Sequence, residues 1–267
     1  TGTPTATGEH AVYINVNPLL PGHSLLVPFI DACLPQAVSP PVMEIALAFA
    51  AMARRRRDLR VGFNSIGAWA SVNHCHWHVF YVGDTFGSPC LPIEHAATEP
   101  LASAPCGGGG GDWTLSLAKL TGWPLPGFVF SIAPSATTAT ATDDYTTPPG
   151  VLAALARAAG GFVADALIRR DIAHTLLIGP AGRTVYVLPR QHQRGGGAEA
   201  GELAVALAES CGLAIVYTQE AYDTLTGHGY RATLAAFATP PPLLDGDLRT
   251  DAVAAMLRAT AAPAPSA

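Results

Sequence analysis

The sequence predicts an α+β fold, an antiparallel sheet with flanking helices laid out as two related halves. Three observations lead there. Residues 11–82 alternate short β-prone runs around one helical stretch, in the order strand, strand, helix, strand, strand. A weaker version of that order returns after residue 127. Of the 267 residues, 49% are apolar, enough to give a core to one sizeable domain or two small ones.

The elements follow in order. Residues 11–16 and 24–30 are the first strands, and Asn17-Pro-Leu-Leu-Pro-Gly22 between them carries the turn formers of a hairpin connection. Ser39 caps a helix with Pro40 and Pro41 in its first turn. That helix runs to about Arg57, with Ile45, Phe49 and Met52 on its apolar side. Residues 60–64 and 71–82 follow as strands, joined by residues 65–70. Residues 84–112 read as loop and end in five glycines, Gly107 to Gly111. No strand precedes these glycines and no lysine-serine or lysine-threonine pair follows, so they form a flexible linker rather than a phosphate loop. Beyond it, residues 127–131 are a strand, 135–147 a polar loop, and 151–170 a helix weakened by Gly160 and Gly161. Residues 174–178 and 183–189 make a hairpin around Gly179-Pro-Ala-Gly182, and 213–217 a further strand. Helices lie near residues 230–237 and from Asp247 to Ala261. The expected division is a first half at 1–106, a linker at 107–112, a second half at 113–245, and a C-terminal helix and tail at 246–267.

Composition excludes several classes. A net charge of −5 argues against a nucleic-acid binder, which needs a basic stripe. The one basic run, Arg54 to Arg57, is expected as the solvated end of a helix. Five widely spaced cysteines (33, 75, 90, 106 and 211) include no C-x-x-C pair, so neither a disulfide framework nor a zinc knuckle is expected, and a reducing, cytoplasmic location fits. The longest apolar run suggesting a membrane span, 42–53, is short and contains Glu44. The chain begins at Thr1 rather than methionine, which leaves a fragment or processed form open.

The chemistry concentrates in Ser71-Val-Asn-His-Cys-His-Trp-His-Val-Phe-Tyr-Val82. On an extended strand His74, His76 and His78 project to one face, while Cys75, Trp77 and Val79 turn to the core. Three imidazoles together are costly without a task. Two tasks are open from the residues alone: zinc ligation, for which no acid lies close until Asp84, and nucleophilic attack by a neutral imidazole on phosphorus. Three satisfied histidines in a polar cleft are the plain alternative.

Pro21-Gly22-His23-Ser24-Leu25-Leu26-Val27-Pro28, some fifty residues before the triplet, narrows the choice. Together the two segments resemble the histidine-triad superfamily of nucleotide hydrolases and transferases. Residues 14–28, Arg60-Val-Gly-Phe-Asn-Ser65 and residues 70–76 resemble its GDP-hexose phosphorylase branch, the GDP-L-galactose phosphorylases of plants and GDP-D-glucose phosphorylases of animals. Gly122-Trp-Pro-Leu-Pro-Gly-Phe-Val-Phe130, Ile172-Ala-His-Thr-Leu-Leu-Ile178 and Arg183-Thr-Val-Tyr-Val-Leu-Pro-Arg190 extend the likeness over roughly residues 11–240, with the glycine run as an insertion.

The resemblance implies a histidine-triad-like sheet and a guanylyl-histidine intermediate. His76 is the implied nucleophile on the α-phosphorus of a GDP-hexose, with hexose 1-phosphate leaving and orthophosphate then releasing GDP. His74 would fix the ring of its neighbour, and His23 would support the phosphates or orient a triad member. Asn64, Ser65 and Ser71 are candidate phosphate-binding groups; Asn64 and Ser65 could equally make a turn. Arg190 is a candidate phosphate clamp or a surface arginine, the surface reading being slightly favoured. Asn73, Cys75 and Trp77 are structural, and Trp123 packs near the entry of the second half.

No cofactor and no metal are implied. The implied partners are a GDP-hexose and orthophosphate, with no nucleic acid and no membrane, and a homodimer is open. Two departures bear on activity. His78 stands where plant members carry glutamine, which opens hydrolysis to GMP as the alternative reaction. Leu213 stands where a histidine is expected after Gly212, which, with the sequence that members carry before the first strand, motivates an inactive nucleotide-binding homologue as a further alternative.

Overall fold

The computed structural model describes residues 8–83, 88–106, 113–135, 146–193 and 203–261. The first half supplies β1 (Ala11–Ile14), β2 (Ser24–Val27), α1 (Pro40–Met52), β3 (Leu59–Asn64) and β4 (Trp77–Tyr81). Then come β5 (Thr98–Cys106), β6 (Trp113–Leu120), β7 (Gly127–Pro134), α2 (Pro149–Phe162), β8 (Ala173–Ile178) and β9 (Thr184–Arg190). After the last strand come α3 (Leu207–Cys211), α4 (Gln219–Thr224), α5 (Gly227–Ala236), a single turn at Pro241–Leu243 and α6 (Arg249–Ala261).

The strands form one sheet in the order β1-β2-β4-β3-β8-β9-β7-β6-β5, with antiparallel neighbours throughout. Strand, strand, helix, strand, strand therefore occurs twice, and β1-β2-β4-β3 is mirrored by β8-β9-β7-β6 across the β3–β8 pairing. The expected two-half layout is present as one continuous sheet. The glycine linker and Asp84 lie outside the described residues.

Several sequence expectations change. The region read as loop at 84–112 contains β5, whose Pro100 and Pro105 are tolerated because this strand is an edge. Strand β6 was not expected either, although Trp113, Leu115 and Leu117 alternate inward along it. Residues 213–217 form no strand. Helix α1 stops at Met52, which is exposed; its buried face is Val42, Met43, Ala46, Leu47 and Ala50. The arginine run lies just beyond in exposed turns, where Arg56 pairs with Asp58 and stacks over Tyr81.

Period-two alternation gives the sheet two different faces. One carries Val61, Phe63, Trp77, Val79, Leu176, Ile178, Val185 and Val187, packed beneath α1, α2 and α6 in the main core. Cys75 and Trp77 are both fully buried there, as expected. Helix α2 continues to Arg170, and this 22-residue stretch is apolar and long enough to cross a membrane, longer than the run at 42–53; yet 72% of its apolar window is buried inside the protein. Gly160 does more than weaken the helix: a Cβ there would stand 3.0 Å from Pro40 Cα, so the glycine permits the close α1–α2 crossing.

The opposite face carries a smaller apolar cluster with Phe80, Leu177, Leu188, Leu207 and Leu213, and His23, Asn64 and His78 line a cavity over it. Arg60 is fully buried on this side. It meets Glu94 through two bonds of 3.0 and 2.6 Å and donates further to the carbonyls of Arg57, Leu59 and Pro89. Glu94 also accepts from Leu91 N–H at 2.7 Å, so the pair fastens the chain that leads out of the first half to β3.

His174, on the helix side of β8, is buried and stacked on Phe63, with Nδ1 2.9 Å from the Ile172 carbonyl. Its Nε2 has no partner, and burial pushes its pKa down to about 4.

Two outcomes follow. Glu94→Ala leaves Arg60 charged, buried and unpaired, and is expected to cost about 3–5 kcal/mol, read from the shift in urea-denaturation midpoint. For His174, the unfolded chain takes up a proton near pH 6.5 while the folded chain resists until about pH 4. Stability is unaffected by this group above 6.5 and falls as pH drops from 6.5 towards 4. His174→Phe should therefore flatten the stability-against-pH slope between about 6.5 and 5, compared by denaturation at each pH.

Candidate active site

The histidine segment is strand only from Trp77 onward. Residues 71–76 approach β4 without pairing, because a different segment holds them. Cys75 N–H donates to the Leu34 carbonyl at 2.8 Å, and Gln36 N–H donates to Asn73 Oδ1 at 2.9 Å. The buried Gln36 side chain completes the attachment. Its Oε1 accepts from His76 N–H at 2.9 Å, and its Nε2 donates to the carbonyls of Asn64 at 2.9 Å and His76 at 3.2 Å. One amide thus clips the backbone of His76 to the end of β3. Gln36 sits in a short connector with no motif around it, and the sequence offered no signal for its role. Asn73 is structural, as expected.

The expected picture of three rings on one strand face is corrected accordingly: His78 alone lies on β4, and His76 sits in the approach. His76 Nδ1 lies 2.8 Å from the His74 carbonyl oxygen. A carbonyl only accepts, so Nδ1 carries the proton and Nε2 presents its lone pair. The contact that sets the His76 ring comes from the main chain of His74 rather than from its ring. The rings of His76 and His78 meet edge to face with centroids 5.3 Å apart.

His78 is set by a second chain of bonds. Leu19 N–H donates to His23 Nδ1 at 3.0 Å, which places the His23 proton on Nε2, 3.0 Å from His78 Nδ1. His78 therefore accepts at Nδ1 and carries its proton on Nε2. Asn15 Nδ2, 3.2 Å from the same His23 Nε2, cannot donate to a nitrogen that carries a proton, so the backbone N–H of Leu19, which can only donate, decides the tautomer. Burial lowers the pKa of His23, and it pushes that of His78 down to about 3, with the neighbouring His76 and His23 adding to the effect. Both rings are neutral at ordinary pH.

The remaining candidates divide. Asn64 is buried and lines the cavity beside His23 and His78; the Thr175 hydroxyl donates to its Oδ1 at 3.0 Å, so the second half aims this side chain. Ser65 joins the halves instead: its N–H donates to the His174 carbonyl at 3.0 Å and its Oγ accepts from His174 N–H at 2.9 Å. Ser71 is exposed in the approach segment and does not line the cavity. Arg190 is 1% exposed, which corrects the surface reading, and it too lies outside the cavity lining. Its guanidinium donates to the Val205 carbonyl and, at 2.8 Å, to Gln193 Oε1, and stacks over Phe237. Its work is to hold residue 205 and α5 against the sheet. Trp123 packs in the second half, its indole N–H donating to the Ser210 carbonyl at 2.9 Å.

The cavity over this face has a volume of about 130 Å³. His23, His78 and Asn64 line it together with Leu20, Phe80, Leu207 and Leu213. Gly62 makes the closure possible: a Cβ there would stand 2.3 Å from Leu207 Cδ2, so only glycine lets α3 descend this far onto β3. Residues 213–217, expected as a strand, serve as a wall, with Leu213, Ile215 and Tyr217 all facing the cavity. Trp69 and Glu209 also line the cavity and were not anticipated. Trp69 has φ of 76°, a left-handed conformation rare for a bulky residue. Glu209 is 5% exposed, and burial raises its pKa to about 7 against the pull of nearby backbone amides and Arg190. Among the described residues no three of His, Cys, Asp or Glu converge as a metal-binding group.

Two family models match the chain, the GDPGP1-like N-terminal domain over residues 1–80 and the GDPGP1-like C-terminal domain over residues 92–240. GDP-D-glucose phosphorylase 1 of Macaca fascicularis is 33% identical over 247 residues, covering 86% of this chain and 55% of that protein. GDP-L-galactose phosphorylase 2 of Arabidopsis thaliana is 34% identical over 118 residues, 44% of this chain and 24% of the relative. The chain thus spans a little over half the length of curated animal relatives that it matches. Yeast Ap4A phosphorylase Apa2 in complex with Ap4A superposes with a TM-score of 0.57 at 16% identity, over 87% of this chain and 75% of that one, and shares its fold. With both domain models matched in order along a single sheet, the chain belongs to the GDPGP1-like family.

Proposed function

We propose that this chain is a GDP-hexose phosphorylase working through guanylyl-His76. The observation that carries the reading is the His76–His74 contact, which leaves Nε2 unprotonated and available for attack. The names of its relatives, GDP-D-glucose and GDP-L-galactose phosphorylases, support the substrate class.

In this reading His76 Nε2 attacks the α-phosphorus of the GDP-hexose, and the bond from that phosphorus to the bridging oxygen breaks. Hexose 1-phosphate leaves with the electron pair, and a guanylyl group stays on the ring. An orthophosphate oxygen then attacks the same phosphorus, the P–N bond breaks, and GDP departs with His76 restored. Two moderate displacements replace one difficult one. Asn64 hydrogen-bonds a phosphoryl oxygen, and His78 Nε2–H faces charge developing on the phosphoryl or leaving oxygens. His23 is a positioning residue that fixes the tautomer of His78, and Gln36 one that fixes the backbone of His76.

His78 favours a second reading. Glutamine at this position in the resembled plant enzymes cannot exchange a proton with water, whereas an imidazole can. Release of GMP at an unchanged rate without orthophosphate would assign the chain to hydrolysis, while strict dependence on orthophosphate supports phosphorolysis. GDP binding without any turnover would mark a binding homologue.

His76→Asn should lower turnover of GDP-glucose by at least about a thousandfold and abolish the acid-labile guanylyl adduct seen with radiolabelled substrate. An adduct retained in that variant would move the nucleophile elsewhere. Gln36→Leu keeps the histidines but frees the His76 backbone; kcat should fall by up to about a hundredfold with KM little changed. A fall in folded fraction alone, with kcat per folded molecule intact, would show that Gln36 only stabilises the fold.

A further inference from the structure

We propose that the apolar end of the cavity is a slot for the guanine base, in which the Glu209 carboxylate reads the N1–H and N2–H donors and the Trp69 indole forms one wall. This rests on the proposed function only in taking the ligand to be a nucleotide.

Size is the first argument. At about 130 Å³ the cavity is smaller than the several hundred Å³ that enclose a whole drug-sized ligand, and it suits one planar ring system. His23, His78 and Asn64 lie on its lining and the His76 ring meets that of His78, so a base seated in the slot would have its phosphates beside these groups. The walls, Leu20, Phe80, Leu207 and Leu213, are apolar, as the π-faces of a base require.

Glu209 then supplies what apolar walls cannot. It is the one acidic side chain on the lining, and it is almost wholly buried. Among the described residues it makes no ion pair: the nearby Arg190 guanidinium favours its ionised form from a distance but directs its two terminal nitrogens to the Val205 carbonyl and Gln193. Its Oε2 accepts from Ala206 N–H at 3.0 Å, which caps α3, and the backbone amides of Glu209 and Ile215 also favour the carboxylate; with about four lone-pair sites on its two oxygens, acceptor capacity remains beyond these. A buried carboxylate is expensive unless donors meet it. Guanine offers two adjacent donors on one edge, N1–H and the N2 amino group. Adenine presents a bare acceptor at N1, and uracil flanks its N3–H with carbonyl oxygens that a carboxylate repels. The chemistry therefore selects guanine.

Trp69 is the second independent sign. A bulky residue held at positive φ is strained, and such strain concentrates where a ligand must be contacted. Here the strained residue is an aromatic ring on the wall of the same cavity.

The test is calorimetric titration of the folded chain with GDP, IDP and ADP. IDP lacks only the N2 amino group. Wild type should bind GDP about tenfold or more tighter than IDP, and ADP more weakly still. Glu209→Gln keeps a cap acceptor for α3, since glutamine serves in a capping box, but turns one acceptor into a donor facing guanine. It should abolish the preference for GDP over ADP while leaving ADP binding unchanged. Trp69→Leu should weaken all three nucleotides alike. Full GDP preference in Glu209→Gln, or equal loss of GDP and ADP, overturns the slot. So does equal phosphorolysis of GDP-glucose and ADP-glucose by wild type, which would leave the proposed reaction standing. Guanine-selective binding without phosphorolysis does the reverse, and binding of none of the three overturns both.

Discussion

Four registered pairs, from Val61↔Ile178 to Asn64↔Thr175, join β3 to β8 and make two groups of strands into one sheet. Side chains alternate across a strand, so this register decides which residues of each half share a face. It puts Gly62, Asn64, Thr175 and Leu177 on the cavity side, and Phe63, Leu176 and Ile178 under the helices. A slip of one residue would bury Asn64 in the apolar core and lift Phe63 into the site. Ser65 and His174 secure the end of the seam through two further bonds, so the geometry of the first half's site depends on a strand from the second.

Electrostatic economy shapes the site. His23, His78 and His76 lie close together, where charging one would penalise the others. Burial holds His23 and His78 neutral, and backbone groups at Leu19 and His74 decide which nitrogen of His23 and His76 carries the proton. Fixed protons allow neighbouring imidazoles to play different parts: lone pair outward at His76, N–H outward at His78.

What the sequence made legible follows from where the information is local. Alternation and turn formers marked β2, β3, β7, β8 and β9, and the histidine and Pro-Gly-His segments marked the site because chemistry-bearing residues are rare in so apolar a chain. Edge strand β5 was missed because its two prolines and exposed residues lack the pattern of a covered strand. The approach at residues 71–76 looked like strand because its alternation is real, yet its hydrogen bonds go to Leu34 and Gln36. Gln36, Thr175 and Glu209 were invisible for a single reason. Each matters through a partner far away in the chain, and nothing in its own neighbourhood records that partner. Arg190 was visible as a cation, but its burial beside Phe237 depends on α5, which only the fold brings near.

The group that orients His76 belongs to the main chain, and this has a consequence for how the family can vary. A side chain that holds a nucleophile can be lost by one nucleotide change. A carbonyl oxygen cannot, because every amino acid supplies one. The ring at position 74 is thus free to drift without disturbing the proton on His76, provided the path of the backbone from Asn73 to His76 is kept. Selection for the tautomer of His76 is displaced onto the residues that hold that path, Gln36 above all, and so onto a connector thirty-eight positions upstream of the carbonyl itself.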